Sequence, residues 1–407
     1  MSSATSTPQV SASPSPARAR FCLILLVLLG FSLGASEFVV IGIESDLAEE
    51  LNVSLSTVGQ LISLFALPYA VMTPILALTT GRFKRYQLMI AYSVLFCAGN
   101  LVSSLAQSFE VLLAARILIG SVSGSLLAVG VTFIPELADE SRRSLVMSCV
   151  YGAFSVAMVV VTSIGKILAD TVGWHVAMDG TLAFAVIICA ALAAFMPRSG
   201  ATDEPATFRD QITLFTEPSI ITGMLIFVFG VGSVYVFYGY VTPYLEQILG
   251  MDTMAASTTL MVYGGFCLIS NIIGGWFDAR FGIKALVPSF LAQGVVLVAL
   301  WLVGGTMPVA LVLVFAIATL MYVASVPVIS LFMEIASKRH PKALTLASSL
   351  EPMSFNVGIS FGTAVGGAVV SGIGIANVGL VGGALSVVAC ALVVLTIALT
   401  RRSSREQ

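Results

Sequence analysis

Twelve apolar runs of about twenty residues follow one another along this 407-residue chain, each long enough to cross a hydrocarbon core of about 30 Å as a helix. No water-soluble fold can bury so much. Hydrophobic residues make up 58% and charged residues 10%, against about 25% charged in soluble proteins. Within lipid the backbone must satisfy its own hydrogen bonds, so the expected class is an all-α polytopic membrane protein. The spans are expected at about 21–43, 56–79, 86–107, 110–134, 144–168, 176–196, 218–240, 256–277, 284–305, 307–331, 345–369 and 377–399.

An even number of crossings returns both termini to one side, and Lys and Arg are retained on the cytoplasmic side. Of 19 Lys and Arg, 17 fall in the tails and even-numbered connections, among them Arg82, Arg85, Arg280 and Arg401, and the odd-numbered connections have none. Those connections carry Asp46, Glu49, Glu50, Glu110, Asp170, Glu246 and Asp252. The expected location is a cytoplasmic (inner) membrane, crossed many times, with N- and C-termini cytoplasmic. Arg18 and Arg20 ahead of an apolar stretch imitate a signal peptide, but the run continues past Glu37 to Ile43, so an uncleaved first span is expected.

Residues 198–217 hold Pro205, six charged residues and no apolar periodicity, which marks a cytoplasmic linker. It separates an N-terminal six-helix bundle at 21–197 from a C-terminal one at 218–400, with a disordered tail expected at 1–20 and a short tail at 401–407. Each half has a glycine- and cation-bearing segment after its second span, at 81–85 and 274–284. Repeated halves of this kind build rocking-bundle transporters with a site near the bilayer midplane.

Other classes lose support on the same residues. A net charge of -2 and the lack of a free basic stripe exclude nucleic acid as a partner. The six cysteines sit in apolar runs without Cys-x-x-Cys or neighbouring histidine, so they read as buried apolar residues, with no metal and no cofactor expected. Gly358-Ile359-Ser360-Phe361-Gly362 fits a nucleophile-elbow pattern, but it lies mid-helix and both histidines, His175 and His340, precede it. No zinc-protease or phosphate-loop motif is present, so the chain reads as no enzyme, and an ion gradient is the available energy source. A channel would need rings of carbonyls or charges, and repeated halves favour alternating access.

Six motifs carry a resemblance: Glu37-Phe38-Val39-Val40-Ile41-Gly42, residues 116–120, Gly173-Trp174, Tyr240-Val241-Thr242-Pro243-Tyr244-Leu245, Asn271-Ile272-Ile273-Gly274-Gly275, and Asn356-Val357-Gly358 with Gly366-Gly367. The chain resembles the major facilitator superfamily over nearly its whole length, within it the twelve-helix drug:proton antiporters close to arabinose and sugar efflux permeases. The resemblance implies two pseudo-symmetric six-helix bundles, a monomer, and proton-coupled efflux of a small-molecule substrate such as a drug or sugar, with protons as the second partner. Proton-linked uptake is the alternative. Three departures stand out: no acidic residue between Glu50 and Glu110, Ala279 after Asp278, and no proline between Pro135 and Pro197, where the antiporter signature has Gly-x-Pro.

Ionisable groups in a span cost about 2.5–3.5 kcal/mol each on insertion scales, so each needs an account. Glu37 and Arg116 fall at matching depths of spans 1 and 4 and can pair; the resemblance links such an Arg to proton transfer and the acid to proton recognition. The proton affinity of a buried carboxyl depends on its distance from a guanidinium, which makes the pair a candidate for coupling; a static ion pair is the competing account. Glu351 directly precedes Pro352, which is expected to interrupt span 11 and create a polar spot for a cationic substrate or a second proton; a residue snorkelling to the cytoplasmic interface is the competing account. Tyr235 and Tyr238 are further substrate candidates, while Tyr240 and Tyr244 are expected in an interfacial aromatic belt; Asn271 and Asn356 each need a hydrogen-bond partner, which substrate or an adjacent helix can supply. Lys166, near the end of span 5, is expected to snorkel to the interface. Arg82, Arg85, Asp278, Gly120, Gly165, Gly358 and Gly362 are expected in gating or close helix packing.

Overall fold

The computed structural model describes residues 15–80, 83–198, 213–340 and 344–403. Arg82 and residues 1–14 of the expected tail lie outside that set. Eleven stretches are long and apolar enough to cross a membrane, but one of them, Thr253–Val303, is 51 residues long. That is more than twice one crossing, and the chain turns within it at Gly282, where φ is +57°. The described residues therefore make twelve crossings. With twelve crossings Pro16, where the first helix begins, and Ser403, where the last ends, lie on one face, the terminal face; the opposite one is the far face.

The first half comprises α1 (Pro16–Gly42), a short far-face helix α2 (Glu44–Glu50), α3 (Leu55–Thr80), α4 (Arg85–Ser104), α5 (Phe109–Val131), the single turn α6 (Ile134–Leu137), α7 (Glu140–Val172) and α8 (Trp174–Phe195). The second comprises α9 (Pro218–Tyr238), the short α10 (Val241–Gln247), α11 (Thr253–Phe281), α12 (Leu286–Val303), α13 (Met307–Leu320), α14 (Ser325–Arg339), α15 (Leu344–Gly372) and α16 (Val378–Ser403). Local signals set several ends. Ser108 accepts a hydrogen bond from the Val111 amide and Asp252 from the Ala255 amide, capping α5 and α11, and Pro218 opens α9 where its missing N–H costs nothing.

Within the first half α1 packs on α7 and α8, and α5 on α3 and α4; within the second α9 packs on α15 and α16, and α12 on α16. Across the halves α3 meets α15 and α7 meets α11. Glycine permits the closest approaches. A side chain at Gly362 would run into the Gly232 carbonyl, at Gly358 into the Phe227 carbonyl, and at Gly120 into the Phe65 carbonyl. Gly165 differs: a methyl there would find Ile43 no nearer than 3.7 Å, so close packing does not require this glycine.

Two expectations about helix continuity are corrected. Pro352 does not interrupt span 11, since α15 runs unbroken through it. The interrupted crossing is the tenth, where α13 and α14 are separated at residues 321–324; the Tyr322 amide freed there is caught by the Ser270 hydroxyl of α11 at 2.9 Å. Helix α1 also begins at Pro16, inside the expected tail, and Cys149 is exposed.

Candidate functional site

Arg116 is 1% exposed on α5, and it spends its donors on backbone. Its guanidinium donates to the Ser36 carbonyl, to the Glu37 carbonyl at 2.9 Å and to the Leu61 carbonyl at 3.2 Å, and it lies 4.4 Å from the centre of the Phe65 ring. Five N–H groups in a planar fork suit this task, and the ring face adds a cation–π contact. The expected carboxylate–guanidinium pair takes another form. Arg116 holds the backbone that carries Glu37, and among the described residues the Glu37 carboxyl, 7% exposed, has no hydrogen-bond partner.

Glu37 faces an aromatic group that it shares with Glu351. Tyr69 of α3 and Tyr322 at the α13–α14 break each lie within electrostatic reach of both carboxyls. Ser325 stands beside the Glu351 carboxyl, and Tyr151 of α7 is near it as well. Residues from both halves therefore surround one central region. Tyr322 stacks on Phe355 at 5.4 Å with the planes 4° apart, and Tyr235 meets Phe355 edge-on at 6.4 Å. Tyr238 stacks on Tyr263 at 4.9 Å and meets Tyr235 edge-on.

Unused polar atoms mark where a ligand can bond. The Asn356 side-chain carbonyl is buried without a partner, whereas the Tyr235 hydroxyl lies within hydrogen-bond reach of Tyr322. The Asn356 amide is occupied by the Pro352 carbonyl at 3.0 Å, and the Asn271 amide by the Cys267 carbonyl of its own helix at 3.2 Å. Tyr69, Tyr322 and Phe355 were not singled out from the sequence. A signal near Tyr322 was present: Pro327 falls in the first turn of α14, where its missing N–H is tolerated, and so marks a helix start just after the break. Among the described residues no group of His, Cys, Asp or Glu is arranged to hold a metal.

The gating candidates settle within their own halves. Arg85 donates to the Thr132 carbonyl at 3.3 Å and lies 3.6 Å from Glu136, tying α4 to the end of α5 and α6. Asp278 accepts from Ser330 at 2.6 Å, tying α11 to α14. The bonds that join the halves lie at mid-membrane or toward the far face: Ser63 to the Ser360 carbonyl, Thr242 to the Ile41 carbonyl, Ser257 to the Ser163 carbonyl, and Lys166 to Glu246. Two interfacial expectations are thereby corrected. Lys166 is 3% exposed and ion-paired, and Tyr240 and Tyr244 are buried, with the Tyr240 hydroxyl on the Thr363 carbonyl at 3.1 Å.

The family model described as Major Facilitator Superfamily matches residues 26–351. The chain belongs to the Major Facilitator Superfamily. Its relatives include the uncharacterized MFS-type transporters YtbD and YbcL of Bacillus subtilis (strain 168). YtbD is 27% identical over 90% of this chain and 92% of its own length; YbcL is 25% identical over 88% and 91%. The fold is shared with two solved structures. One is a bacterial homolog of the human lysosomal transporter Spinster in an inward-facing and unoccupied conformation, with TM-score 0.70, 16% identity and coverage of 96% of this chain and 98% of that one. The other is the D-xylose-proton symporter, with TM-score 0.71, 17% identity and coverage of 92% and 97%. This major facilitator protein is a secondary transporter of a small solute, with two pseudo-symmetric six-helix bundles.

Proposed function

We propose that the chain exports a small amphipathic solute across the cytoplasmic membrane in exchange for protons, by alternating access. The units that rock are 21–197 and 218–400, joined by 198–217, and both termini are cytoplasmic. The protein acts as a monomer. The observation that carries the reading is the Glu37 carboxyl: buried, without a hydrogen-bond partner, and held by its own backbone against Arg116, whose donors are committed to main-chain carbonyls. Joined on the far face, the molecule corresponds to the state open to the cytoplasm.

From that side the solute enters between Tyr235, Tyr322 and Phe355, bonds to Asn356, and meets Glu351, which favours a cationic or hydrogen-bonding group. Its arrival displaces the proton of Glu37. After the halves reverse, the solute leaves and a proton from outside reloads the carboxyl. The resemblance to efflux permeases favours this direction; the absence of proline from α7 favours the reverse, proton-linked uptake. Everted vesicles given a pH gradient separate the two: solute accumulation with proton release means export. Full gradient-driven flux in Glu37→Gln would eliminate proton coupling at this residue.

A further inference from the structure

Lys166 of α7 sits at the far-face junction of the two halves and serves two carboxylates, Asp46 on α2 at 3.1 Å and Glu246 on α10 at 2.6 Å. Ser45 donates to the other oxygen of Glu246. Beside them Glu44, the first residue of α2, is 1% exposed, and neither of its carboxyl oxygens has a hydrogen-bond partner. Glu44 lies within electrostatic reach of Glu246, Tyr238 and Tyr240, all from the second half. Asp46 and Glu246 thus share one ammonium across the seam, and the third carboxyl, Glu44, is not among its partners. Among the described residues they are not arranged to hold a metal.

The other charges on the neighbouring elements are exposed: Asp170 on α7, one turn beyond Lys166, and Asp252 at the start of α11. Helix α3, packed on α2, has no charged residue. On α2 itself Glu49 is exposed and Glu50 faces His175 at 3.9 Å, while Glu37 lies deeper in α1. Burial pushes the proton affinity of Glu44 well above the usual carboxyl range, and the charge of Glu246 pushes it further. An ionised carboxylate with no donor cannot stay out of water, so the closed seam holds this group neutral.

We propose that Glu44 is a second proton-binding site, distinct from Glu37: it takes up one proton as the far seam closes and gives it to the far aqueous phase as the seam parts. The proposal rests on alternating access at this seam and not on coupling through Glu37. Its sign is definite. The closed form has the raised affinity, so closure is unaffected by pH below the ordinary carboxyl range and is progressively disfavoured as pH rises above it, until the raised value is passed.

The test uses the full chain with Val241→Cys, a position fully buried at the seam. Labelling by a membrane-impermeant maleimide from the far side is measured against pH, normalised to the unfolded chain at each pH and corrected for the parent protein's native cysteines. One proton predicts a labelling rate that rises by up to about tenfold per pH unit. Glu44→Gln, isosteric with the protonated form, should give low labelling that is flat with pH, and Glu44→Asp should keep the slope. A flat profile in the parent, an unchanged slope in Glu44→Gln, or flattening by Asp46→Asn in its place overturns the proposal. Protection by added sodium at constant pH assigns the site to a metal cation and overturns it too. A thiol that never labels under any condition defeats alternation at this seam, and the proton site with it.

Discussion

Arg116 grips Glu37 by its main chain: Nη2 donates to the Glu37 carbonyl at 2.9 Å while the carboxyl of the same residue stays free. The guanidinium thus sets where the acid sits and supplies a favourable charge, yet the proton can come and go without a hydrogen bond being broken. Since the Leu61 carbonyl takes a third donor, Arg116 also ties α1 to α3.

Arg116→Lys should fail at this task. One ammonium on a flexible stem cannot reach three carbonyls on two helices and stack on Phe65, and each buried acceptor left unpaired costs about 1–3 kcal/mol. Thermal unfolding of the purified protein should show a clear drop in Tm, and transport should fall with it. An unchanged Tm would refute the bridging role.

Glu37→Gln should separate coupling from movement. Solute counterflow between two labelled pools should persist, while flux driven by a pH gradient falls by about tenfold or more. If both fall together, Glu37 is needed for the conformational cycle itself.

Tyr322→Ala should weaken solute binding by about three- to tenfold, in line with about 0.5–1.5 kcal/mol for an aromatic contact. Glu351→Gln should weaken cationic solutes more than neutral ones. Equilibrium binding to the purified protein, with Asn271→Ala as a control expected to bind normally, provides the check.

Lys166→Ala should leave Asp46 and Glu246, 18% and 20% exposed, without their cation, and because water still reaches both, the loss should fall below the cost of about 3–5 kcal/mol for a fully buried pair. The far seam should open more often, read as faster labelling at Val241→Cys. Adding Glu246→Ala should recover part of the loss; additive effects in the double variant would show that the two residues do not interact.

Two glycines should respond oppositely to one methyl group. Gly362→Ala meets the Gly232 backbone and should lower Tm markedly, whereas Gly165→Ala has room and should stay within about 0.5 kcal/mol of the parent. Equal sensitivity at both positions would argue that Gly165 serves a contact made in another state of the cycle.

The twelve crossings were legible because a run of about twenty apolar residues has one stable solution in lipid, a helix. Glu37, Arg116 and Glu351 were legible for the converse reason, since charge inside such a run is costly and stands out. Their relationships were not. A matching depth brings Glu37 and Arg116 near each other, but side chain and carbonyl of one residue lie at the same depth, and only packing chose the carbonyl. Lys166, Tyr240 and Tyr244 looked interfacial from position along the helix, and the seam between the halves buried them instead. Glu44 gave no signal at all, because carboxyls just beyond a span end are ordinarily solvated.

Sequence alone determined the solvent, the number of crossings and the residues whose charge must be accounted for, because these follow from transfer energies that act residue by residue. Tertiary structure decided which of those residues meet: that Tyr322, at a helix break, lies within electrostatic reach of both Glu37 and Glu351, and that Lys166 binds across two halves while Glu44 is left with no donor. Such pairings depend on how helices distant in the chain are rotated and slid against one another, and that geometry is a property of the packed bundle, set by glycine contacts and ring stacking that no single segment encodes.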